Sequence, residues 1–184
     1  TSETRSEVVG DFFVPSGDRF GFDFIASLLL ETGIERPNVE SAQATGEVSL
    51  ALFGGTQKDS LSLLESFTLA ANLSTLGTDD SLTLPETSAA LTFGTFADSS
   101  FGGTNEFVDV LVAGSYDWTF DTDTHLRLVE VKTSSACSSA TFSNGKRCTP
   151  VVESTEVPEP SSAVALMLPA LGLAGRSLKK RIKL

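Results

Sequence analysis

The chain has a single histidine, a single tryptophan, a single tyrosine, a single methionine and only two cysteines among 184 residues. These scarcities exclude much of the common chemistry. A Ser-His-Asp hydrolase needs an imidazole beside its nucleophile, and His125 is the lone candidate, with no G-x-S-x-G elbow anywhere to accompany it. Two cysteines and one distant histidine do not make four zinc ligands at finger spacing. Cationic side chains are also few, 13 Lys and Arg against 24 Asp and Glu for a net charge of −11, so no basic groove for nucleic acid can be assembled. Acidic residues are so abundant that their number does not single out a glycosidase pair. The reading is of a protein that is not an enzyme, with no catalytic residues and no required cofactor.

Period-two alternation of apolar residues dominates the rest, and the expected fold is all-β, an antiparallel β-sandwich or jelly roll of about eight to ten strands. "DRFGFDFIA" sets Phe20, Phe22 and Phe24 on one face, and "EVSLALF" does the same with Val48, Leu50 and Leu52. Phe67, Leu69 and Ala71 fall in step, as do Leu82 with Leu84 and Leu91 with Phe93. In "FVDVLVAGSYDWTF", Val108, Val110 and Val112 alternate, and after an expected turn at Gly114 so do Tyr116, Trp118 and Phe120. "HLRLVEV" is apolar on both faces, which suits an interior strand. Ile25 to Glu31, and the stretch through Leu61, Leu64 and Phe67, admit a helix, although their alternating neighbours favour strand. "FGGT" occurs at Phe53–Thr56 and Phe101–Thr104, either as a trace of duplication or as two unrelated glycine turns.

Three further features suggest ligands or links. Cys137 and Cys148 enclose the polar loop "SSATFSNGKR", which fits a disulfide in an oxidising compartment or, alternatively, two unpaired thiols. Closing so short a loop would stabilise by roughly 2–3 kcal/mol. Asp121 with Asp123, and Asp79 with Asp80, offer hard oxygens for calcium or serve simply as solvated turn residues. Tyr116, Trp118 and Phe120 form either a sugar-binding platform or a core stripe. "NLS" at Asn72–Ser74 is a formal glycosylation acceptor of no weight by itself.

The charge is divided unevenly along the chain. Residues 1–155 carry 22 acidic and 8 basic side chains, whereas the tail carries Arg176, Lys179, Lys180, Arg181 and Lys183 against Glu156 and Glu159. Between these lies "SSAVALMLPALGLAG", an apolar run without a polar face until Arg176. As a helix it would span about 22 Å, short of a hydrocarbon core of roughly 30 Å. Pro169 and two glycines weaken it further, so it makes a marginal anchor, with the basic end on the cytoplasmic side and the acidic body outside. The alternative is an ordinary helix packed on the body.

"VPEP" at Val157, Pro158, Glu159 and Pro160, then the apolar run, then "RSLKKR", resembles the PEP-CTERM sorting signal of bacterial exported proteins. In that family an exosortase, an integral-membrane enzyme resembling cysteine transpeptidases, recognises the signal, and substrates are associated with exopolysaccharide and biofilm. The resemblance implies an exosortase partner, membrane contact through the C-terminal helix, possible contact with exopolysaccharide, and a destination at the cell surface or beyond. The expected organisation is a β-sandwich body at 1–149, a flexible linker with the motif at 150–160, and a short apolar helix with its basic stop at 161–184. No export signal is seen after Thr1, so export would rest on an N-terminal signal that has been removed or is not included in this sequence.

Overall fold

The computed structural model describes residues 1–75 and 79–140. They form eight antiparallel strands: β1 (Ser2–Val14), β2 (Arg19–Gly33), β3 (Glu40–Gln57), β4 (Ser60–Ser74), β5 (Ser81–Thr83), β6 (Leu91–Ser100), β7 (Asn105–Thr119) and β8 (Thr124–Ala140). One sheet has the order β1-β8-β3-β4-β5 and the other β2-β7-β6. The two lie face to face, with β2 over β3 and β4, so the all-β expectation holds for the described residues as a five-plus-three sandwich.

Side-chain alternation builds the core directly. Along β2, Phe22, Phe24, Ala26, Leu28 and Leu30 are buried while the residues between them face solvent. This settles the Ile25 to Glu31 stretch as strand. β4 behaves alike, with Phe67, Leu69, Ala71 and Leu73 inward. Val108, Val110 and Val112 of β7 complete the interior, each fully buried. Leu82 and Leu84 part company, because β5 ends at Thr83 and Leu84 is exposed.

The many phenylalanines form a seam between the sheets. Phe67 of β4 meets Phe24 of β2 edge-on at 5.0 Å and Phe93 of β6 at 6.0 Å. Phe22 stacks on Tyr116 at 5.5 Å, and Phe12 of β1 contacts Phe20 at 5.0 Å. Rings in such tilted and edge-on contacts add about 0.5–1.5 kcal/mol per pair beyond the area they bury.

Gly114 is not a turn. β7 runs through it without a change of phase, which is why Val112 and Tyr116 share a face. A Cβ at this position would lie 2.7 Å from the tip of Phe24 and 2.7 Å from the Cβ of Phe93. The missing side chain makes room for the seam. The two "FGGT" copies also differ in role: Gly54 and Gly55 lie within β3, whereas Gly102, at φ 76°, turns the chain between β6 and β7. Their structural contexts do not support duplication.

β8 is an interior strand, paired with β1 on one side and β3 on the other. Its Leu126 joins the main core, while Val129 and Val131 form a small second cluster with Ala51 and Phe53 on the outward side. An ion pair on the same side joins Arg127 to Asp11 at 2.8 Å and holds the Asp11 carboxyl below its usual range.

Candidate functional site

β8 carries the route to the tail. The last described residue, Ala140, is registered against Glu40 of β3, and Ala136 lies between Ser2 of β1 and Ala44 of β3. The chain beyond 140 therefore issues from a strand that is paired on both edges as far as Ala136 and with β3 alone from there to Ala140. A pull on the tail would load those ladders in shear. The sorting residues Val157, Pro158, Glu159 and Pro160, the basic residues Arg176, Lys179, Lys180, Arg181 and Lys183, and Cys148 all lie outside the described residues, as do the expected linker and C-terminal helix. Cys137 is on β8, registered against Gln43. Among the described residues no helix is long and apolar enough to cross a membrane.

The body disperses most of the ligand candidates. Tyr116 and Phe120 are buried at 4% and 9% exposure, and only Trp118 reaches solvent at 47%. The three rings therefore do not form a surface platform; two of them are core. Trp118 sits opposite Phe20, beside the Arg19–Asp117 ion pair. His125 packs against the ring of Phe13 at 5.1 Å. Asp123 accepts a hydrogen bond from the Ser16 amide at 2.8 Å, and Asp80 accepts one from the Ser74 amide at 2.7 Å. Both carboxylates thus order local backbone. Among the described residues no group of three or more His, Cys, Asp or Glu side chains is placed to hold a metal ion.

Pattern reading missed one buried acid. Glu106 of β7 is 2% exposed, accepting hydrogen bonds from Thr32 Oγ1 at 3.0 Å and from the Gly102 amide at 3.1 Å. It ties the β6–β7 turn to β2, and its even number, in phase with Val108, was the available signal. Burial, then the charges of Glu65 and Asp117, push the Tyr116 phenol up to about 12. Because the folded form holds the proton more tightly than the unfolded chain does, this stabilisation is complete below about pH 10 and is lost as pH rises from 10 towards 12. Alkaline titration followed by circular dichroism is expected to show this loss, and Tyr116→Phe should flatten it.

Residues 156–181 match the PEP-CTERM protein-sorting motif. The match begins one residue before Val157 and extends through Arg181, covering the proline-bracketed tetrapeptide, the apolar run and most of the basic block. No curated protein and no solved structure matches the chain. The PEP-CTERM tail implies an exported protein that passes through a membrane-anchored precursor to the cell surface, with an exosortase as its processing partner.

Proposed function

We propose that this chain is a non-enzymatic structural protein of the bacterial surface or extracellular matrix, associated with exopolysaccharide and biofilm. Its PEP-CTERM tail holds it transiently in the inner membrane until exosortase cuts at or near Val157 to Pro160. The match at residues 156–181 carries this reading. The β-sandwich body fits it, since an antiparallel sandwich rooted to its tail through a central strand is suited to display. The acidic body favours solubility outside the cell, and the basic end favours retention at an anionic cytoplasmic leaflet by about 1 kcal/mol per residue. In an oxidising compartment Cys137 and Cys148 pair and close the loop ahead of the linker. No cofactor enters the reading.

The second reading, a carbohydrate-binding module on the same tail, rests on the exposure of Trp118 alone. Titration of the protein with soluble exopolysaccharide and with calcium, following Trp118 fluorescence, separates the two. The structural reading predicts no saturable change with either, whereas a saturable quench by glycan would replace it with the module. A saturable response to calcium would assign a cofactor.

A further inference from the structure

We propose that the open edge of β6 is a pairing surface for a second copy of this chain, joining two three-stranded sheets into one continuous six-stranded sheet about a two-fold axis. The first observation is how little holds this strand. Among the described residues, every residue from Gly94 to Ser100 is exposed, and β7 on one edge is the only strand partner of β6. Ordered strands in such a position are normally blunted by lysine, proline or a bulge. This segment, "GTFADSS", has no lysine, arginine or proline and a single charge, Asp98, and its register with β7 is unbroken. The other edges are better guarded. β1 carries Glu3, Arg5, Glu7 and Asp11, β2 carries Arg19, Asp23 and Glu31, and β5 has only three residues.

The second observation selects the register. Phe96 is 60% exposed on the outward face, opposite Leu111 of β7, and Gly94 on the same face has nothing within 4 Å of where a Cβ would lie. Antiparallel self-pairing centred on Thr95 sets each Phe96 opposite the other copy's Gly94, so the ring covers bare backbone on both sides of the axis. Aromatic cover of a glycine is a known way of pinning strand register. The same register places Phe93 opposite Ala97 and Asp98 opposite Thr92, so no two acids face each other across the new ladder. It also extends the apolar outer face formed by Phe96, Leu111, Ile25 and Leu29. The pairing is isologous and closes as a dimer. The net repulsion of two acidic bodies is screened beyond about 8 Å at physiological salt.

Cysteine trapping in the full chain, purified in detergent, tests the pairing and its register together. A Thr95→Cys variant places two thiols on the axis, where facing Cα atoms of an antiparallel pair are about 4.5–5.5 Å apart, within the range that a disulfide spans. In an Asp98→Cys variant the two thiols are six residues out of register, about 20 Å apart. Under mild oxidation, T95C is expected to run mostly as a covalent dimer on a non-reducing gel, and D98C to stay at the level of the unmodified chain. Adding Phe96→Lys to T95C should cut the dimer about tenfold. Equal cross-linking of T95C and D98C, no cross-linking of either, or no effect of F96K would each overturn the proposal. None of these outcomes depends on exosortase processing, so failure here is distinguishable from failure of the proposed function.

Discussion

Replacing Phe67 by alanine is expected to destabilise the folded body by about 3–5 kcal/mol, the usual cost of removing a large buried ring that its surroundings do not refill. Phe67 is 2% exposed and is the point at which the sheets interlock, with Phe24 of β2 on one side and Phe93 of β6 on the other. Neither neighbour can easily close the gap. Phe24 already lies over Gly114, and Phe93 is fixed by the β6–β7 ladder. Urea unfolding monitored by circular dichroism measures the loss. Leu63→Ala, on the same strand but 55% exposed, provides the control and is expected to change stability by no more than about 0.5 kcal/mol. A Phe67→Ala loss below about 1 kcal/mol would mean that the sheets are not held together through this seam.

The second large effect concerns the tail. A Pro158→Ala, Pro160→Ala variant is expected to remain uncut and to accumulate in the inner-membrane fraction of a host that has exosortase. Proline fixes its own φ and biases the preceding residue away from helix, and the proposed function makes that local bias what presents the motif to a processing enzyme. Alanine at both positions removes that bias against helix. Pro150→Ala, outside the matched residues 156–181, should be processed normally. Fractionation and immunoblotting read both variants, and normal trimming of the double variant would show that the motif's rigidity is not what the enzyme uses.

Much of this architecture was legible because a strand's period is two. Phe22 and Phe24, Leu50 and Leu52, and Leu69 and Ala71 each declared a shared face, and each pair is buried. What alternation does not declare is whether a face is covered. Trp118 keeps step with Tyr116 but lies near the end of β7 and is half exposed. Ile25 and Leu29 carry apolar side chains on the open side of β2, which blurred strand with helix in the sequence. Gly114 resembled a turn because its demand for space comes from Phe24 and Phe93, residues far away in sequence. The exposure of β6 was illegible for the same reason, since it depends on how far the opposite sheet extends. The tail was the reverse case. Its signal is local and ordered along the chain, so sequence sufficed to find it.

The most direct test of the central claim, that the C-terminal segment is a sorting device and not part of the mature protein, is intact-mass determination of the chain recovered from the native cell surface. The account predicts a C-terminus at or near Val157 to Pro160, with the apolar run and the basic block gone. Surface material still ending in Leu184 would contradict it.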